Sequence, residues 1–144
     1  MKNMTTPESY ESPFERYKDT KLLNIFFAEE LANKLRDSKV SEDRKIVVSS
    51  CNPGLVLSSF ATDQSTLPPR ILENARNLVE GCKTHLFASI DPSAGVPGKA
   101  NFYHNCEPTG PSDITLGEEG DVQRKRTWND TLEVLHVKEQ DFDL

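Results

Sequence analysis

Between Ser12 and Leu35 the run SPFERYKDTKLLNIFFAEELANKL places Leu23, Phe27, Leu31 and Leu35 at helical spacing, with Leu22 and Phe26 widening the stripe. Ser12 suits an N-cap, Pro13 the first helical position, and Glu15 the third, so the start reads as a capping box. One long, substantially buried helix is expected. The polar segment Asp37 to Arg44 then makes a surface turn. Lys45 to Cys51, KIVVSSC, changes the period: Ile46, Val47 and Val48 supply the β-branched run of a buried parallel strand, which Asn52, Pro53 and Gly54 end.

Beyond a loop, Pro68 and Pro69 open a helical segment containing Ile71, Leu72 and Ala75. Asn77 and Glu80 have capping-box spacing, predicting a helix to about Ser89 with Val79, Leu86 and Ile90 on one side. DPSAGVPG, Asp91 to Gly98, is a Pro/Gly turn, and Lys99 to His104 a last short strand. A final helix is expected to start at a Thr115 and Glu118 box and to pack through Trp128, Leu132 and Leu135. Residues 1–11 read as an irregular lead-in and 136–144 as a frayed acidic tail.

Composition narrows the possibilities. The 144 residues suffice for a single domain, 1–144, and a hydrophobic content of 35% makes its core a lean one. A net charge of −6 argues against general binding to nucleic acid or anionic lipid. No run approaches the ~20 apolar residues that span a bilayer, and MKNMTTPESY lacks the apolar centre of a signal peptide, so a cytoplasmic location is the default expectation. Cys51, Cys82 and Cys106 are odd in number and widely spaced, which suggests reduced, mostly buried thiols. His85, His104 and His136 show no ligand spacing, and no metal site is expected.

The candidate chemistry lies on the first helix. Tyr17 and Lys21 stand one turn apart on one face. Two readings of the pair are open: a surface lysine packing along a half-buried tyrosine, or an acid–base pair. Downstream, Pro53 and Gly54 follow the end of a strand, where open α/β sheets bind ligands.

Together, YKDTKLLNIFFAEELANKL, an extended segment and NPGLVLSSF resemble the second half of the short-chain dehydrogenase/reductase superfamily, in particular its retinol-dehydrogenase-like and fungal secondary-metabolism members. The motif is Tyr-x-x-x-Lys, a strand, then Pro-Gly followed by Ser or Thr. NLVEGCKTHLFASID, GKANFYHNCEP and EEGDVQRKRTWNDTLEVL extend the resemblance to about Leu135. It implies hydride transfer between a nicotinamide and a carbonyl or alcohol substrate. Tyr17 would be the general acid or base; free tyrosine has a pKa of about 10, and an ammonium one turn away favours its phenolate. Lys21 would also hold the cofactor ribose. Pro53, Gly54 and Val56 would lie against the nicotinamide and Ser58 would contact its amide or phosphate side. The region from Phe60 to Leu72 corresponds to a mobile substrate loop. By subgroup analogy the cofactor is NADP, with NAD not excluded.

The family's glycine-rich loop, its NAD/NADP-selecting residue, its Asn-Ala-Gly segment and its catalytic serine have no counterpart; Ser9 and Ser12 follow no apolar β-branched run. The fold expected is therefore α/β, a partial, N-terminally truncated Rossmann-like doubly wound domain with few parallel strands. Three readings follow: a short-chain oxidoreductase represented by part of its sequence, an inactive chain serving as a binding module or as a homodimer through the Ser12 to Leu35 helix, or a remnant without function.

Overall fold

The computed structural model describes residues 11–58 and 69–141. In chain order these form α1 (Pro13–Asp37), a 3-10 turn (Asp43–Lys45), β1 (Val48–Asn52), α2 (Pro69–Leu72), α3 (Leu78–Ile90), β2 (Ala100–His104), β3 (Glu107–Pro108), a 3-10 turn (Asp113–Thr115), α4 (Gly117–Leu135) and a last 3-10 turn (Glu139–Asp141). The class is α/β, with the strands in one small mixed sheet ordered β1-β2-β3. Two compact units result. Of the described residues, one takes those through Val48, with Pro97–Ala100 and those from Pro111; the other takes those between Ser49 and Val96 and Asn101–Gly110.

The first unit is α1 against α4. Ser12 is extended and its Oγ accepts from Glu15 N at 3.2 Å, so α1 starts where the sequence predicts. Only half the capping box forms, because the Glu15 carboxylate pairs with Lys18 at 2.6 Å. Phe26, Ala32 and Leu35 are buried, while Leu23, Phe27 and Leu31 are half-buried. Phe27 stacks on Trp128 of α4 with centroids 5.4 Å apart, and Trp128 is itself buried. Glu30, also buried, accepts from Arg124 Nε at 2.9 Å, and Arg124 reaches Asp121 at 2.8 Å, so a charge inside the helix pair is met by a charge-assisted bond. The turn after α1 is pinned by Ser38, which donates to Asp43 at 2.7 Å while its carbonyl accepts from Arg44 at 2.7 Å. Lys34 and Glu139 form an ion pair that ties the last 3-10 turn to α1.

α4 departs from its expected start. Thr115 does not cap it: the residue lies in the preceding 3-10 turn, where its hydroxyl donates to Ser112 O at 2.9 Å, and the helix begins at Gly117 without a side-chain cap. That turn folds back so closely that a Cβ on Gly120 would stand 2.1 Å from Thr115 O. Of the expected packing residues, Trp128 is buried and Leu132 half-buried, but Leu135, in the last turn, is exposed.

The second unit holds the sheet. Its β1 is shorter than the run KIVVSSC suggests. Ile46 caps the 3-10 turn and, with Val47, precedes the strand, and both are exposed rather than buried. His104 Nδ1 lies 3.4 Å from Asn52 O, which puts the C-terminal ends of β1 and β2 side by side. An antiparallel β3 adds to the expected parallel strands, pairing His104 with Glu107 and Tyr103 with Pro108. Asn105 and Cys106 make the connecting two-residue turn with φ of 57° and 60°, the left-handed pair of a type I′ hairpin. The signal is muted in sequence because Cys stands where Gly is usual.

α3 is capped as expected, Asn77 Oδ1 accepting from Glu80 N at 2.9 Å. Its apolar residues, however, face outward: Val79 is 72% and Ile90 75% exposed, and Leu86 is exposed as well. The inward face carries Gly81 and Thr84, both buried, and half-buried Ala88. Small residues there let the helix approach closely, and a Cβ on Gly81 would meet Val56 Cγ2 at 2.5 Å. Phe87 packs edge-on against Tyr103 at 5.3 Å. α2 is a single turn that ends before Ala75. The three thiols are free, but Cys82 is exposed and Cys51 and Cys106 only half-buried, so the expectation of mostly buried thiols is corrected.

Candidate active site

The sequence-predicted site residues fall into two groups, one in each unit. Tyr17 and Lys21 sit in the first part of α1, before its packed stretch. Lys21 Nζ lies over the Tyr17 ring, 5.3 Å from its centroid, in a cation–π arrangement. Tyr17 is 43% exposed and Lys21 is exposed too. Lys18, three residues earlier, is paired with Glu15; Lys21 has no carboxylate partner among the described residues. The helix therefore presents a partly exposed tyrosine beside an ammonium that no carboxylate among the described residues neutralises.

The second group is the loop after β1. Gly54 has φ of 77°, a conformation that disfavours a side chain, and its N–H donates to Asn52 Oδ1 at 2.9 Å. Val56 forms a parallel bridge with Arg76, flanked by Arg76 N donating to Leu55 O at 2.8 Å and Leu57 N donating to Arg76 O at 2.9 Å. The Arg76 guanidinium donates from Nη1 to Pro53 O at 3.0 Å and from Nη2 to Asn105 Oδ1. Ser58, half-buried, ends the described part of the loop. Pro53, Gly54 and Val56 are thus held in one non-repetitive backbone segment at the carboxyl end of a strand. Arg76 and Asn105 were not legible as part of this segment. Arg76 lies in a short polar connector without periodicity, and only its neighbour, the helix cap Asn77, carries a sequence signal.

The expected substrate loop, Phe60 to Leu72, lies outside the described residues up to Pro68. Among the described residues no group of His, Cys, Asp and Glu side chains could hold a metal ion, and no helix is long and apolar enough to cross a membrane. Burial pushes the Cys51 thiol up from its ordinary value.

Comparison with known proteins returns three fungal relatives. The chain is 31% identical over 124 residues to a short chain dehydrogenase of Arthrobotrys oligospora, covering 83% of this chain and 36% of that protein. It is 28% identical over 119 residues to a short chain dehydrogenase of Aspergillus sclerotiorum, covering 83% and 32%. A short chain dehydrogenase of Aspergillus nomiae is 26% identical over 121 residues, at 84% and 31%. The chain thus spans about a third of the length of the curated relatives it matches. No family model and no solved structure matches.

Proposed function

This chain being related to the short-chain dehydrogenases, we propose that it carries the tyrosine–lysine pair and the Pro-Gly loop of a nicotinamide-dependent oxidoreductase. Its substrate is a small carbonyl compound or alcohol. In the carbonyl-reducing direction Tyr17 Oη gives its proton to the substrate oxygen, and in the reverse direction it takes that proton back. A bound nicotinamide supplies or accepts the hydride. Lys21 has two tasks: its ammonium steadies the phenolate left on Tyr17, and it donates hydrogen bonds to the ribose hydroxyls. Pro53, Gly54 and Val56 offer backbone and a small apolar surface to the nicotinamide ring, and Ser58 offers a hydroxyl to its amide or phosphate side. NADP is the cofactor favoured by the resemblance, NAD the alternative, and fungal secondary metabolism the setting.

The observation that carries this reading is the Lys21 ammonium, exposed, lying over an exposed Tyr17 and lacking a carboxylate partner among the described residues. Lys18 lies over Phe14 in the same way, 5.1 Å from its centroid, but is paired with Glu15, so it is the lack of a carboxylate partner among the described residues that sets Lys21 apart. The donor set also suits the cofactor: an ammonium for ribose hydroxyls, a phenol for proton exchange, and a glycine backbone with no side chain in the way. Titration of the folded chain with NADPH and with NADH, followed by nicotinamide fluorescence, tests it. Saturable binding that weakens about tenfold on Lys21→Ala is expected, the size of one charge-assisted contact. Binding that ignores Lys21, or none by a folded chain, overturns the reading.

A further inference from the structure

We propose that Arg76 is the positioning residue of the Pro53–Val56 loop, fixing the backbone that this fold offers to a ligand at the end of β1. The residue grips the loop from two sides. Its main chain donates to Leu55 O and accepts from Leu57 N, and its guanidinium turns back to donate to Pro53 O. Between these anchors lies Gly54. A Cβ there would stand 3.0 Å from Arg76 Cζ and 3.1 Å from Nε, so the guanidinium occupies the space that a side chain at Gly54 would need. The left-handed Gly54 and the arginine therefore belong to one device.

Asn105 holds the device in place. Its Oδ1 accepts from Arg76 Nη2, and Asn105 is itself fixed by the left-handed turn between β2 and β3. The guanidinium thus spans two neutral oxygens, one on the loop and one on the hairpin. A planar fork holds its donors in fixed directions toward both; a lysine ammonium, a compact charge on a flexible stem, does not reproduce that geometry. Both acceptors are uncharged, and among the described residues no carboxylate pairs with Arg76. Because Asn77 follows directly and caps α3, the helix start is tied to the same point. That the loop faces a nicotinamide rests on the function proposed above; the grip on the loop does not.

Amide hydrogen exchange by NMR on the 144-residue chain tests the assignment in Arg76→Ala, Arg76→Lys and Asn105→Ala. In Arg76→Ala the Gly54 and Leu57 amides should exchange about tenfold faster, while α4 amides keep the wild-type rate. Guanidinium at tens of millimolar should restore their protection in Arg76→Ala and change nothing in the wild type. The lysine variant should remain unprotected, and Asn105→Ala should show a smaller acceleration at Gly54, which decides the matter if Arg76→Ala does not fold. Unchanged Gly54 and Leu57 rates, or a loss of protection spread evenly over α3 and β2 that guanidinium does not rescue, would overturn the proposal. NADPH affinity measured alongside should fall in Arg76→Ala and recover with guanidinium. If the wild-type chain binds no nicotinamide nucleotide, the proposed function fails while the exchange rates still decide the role of Arg76.

Discussion

Glu29 on α1 is a carboxyl group that the fold works against. Burial raises its pKa above the ordinary 4.5, Arg124 only partly offsets this, and its buried Oε2 has no hydrogen-bond partner among the described residues. A raised carboxyl pKa means the folded state prefers the protonated form. Stability from this group is therefore fully present below the unfolded value and lost as pH rises through the folded one. Glu29→Gln should raise the thermal midpoint at neutral pH and leave it unchanged below pH 4.5, as read by melts at both pH values. Gly120 is the converse case, where space rather than charge decides. A methyl group there meets the Thr115 carbonyl at 2.1 Å, a backbone atom that cannot swing aside. Gly120→Ala should cost about 1–3 kcal/mol in urea unfolding; a wild-type midpoint would show that the preceding turn can move.

Among the elements, α1 was the most legible in the sequence. Ser12, Pro13 and the Leu/Phe stripe mark its start and packed side by local rules, and Ser12 caps it as they require. α3 shows where such rules stop. Its cap Asn77 was legible, but an apolar stripe at Val79, Leu86 and Ile90 says nothing of which face the rest of the chain will cover. Packing there is set by how closely Val56 approaches Gly81, a long-range contact. Ile90→Lys should accordingly change stability by no more than about 0.5 kcal/mol. Trp128→Ala, which removes the ring stacked on Phe27, should cost about 3–5 kcal/mol. Comparable losses for both in equilibrium denaturation would contradict the burial assigned to α3 and α4. The start of α4 and the strand β3 escaped the local rules for a similar reason: a turn folding back from Thr115, and an Asn-Cys pair doing the work usually left to Asn-Gly.

For the molecule as a whole, the sequence places the candidate chemistry in two stretches, and the structure gives each a defined geometry. Tyr17 and Lys21 were legible because four-residue spacing on a helix fixes a shared face. Pro53 and Gly54 were legible because they break a strand. What holds that break in shape, Arg76 with Asn105, depends on residues brought together by the hairpin and by the chain returning before α3, and spacing carries no trace of it. The central claim is the proposed one, that each stretch takes part in binding a nicotinamide nucleotide. The most direct test is to add NADPH to the 15N-labelled chain and map the amide shifts. The account predicts saturable changes at Tyr17 to Lys21 and at Gly54, Val56 and Ser58. Shifts confined to one stretch, or no change in a folded chain, would contradict it.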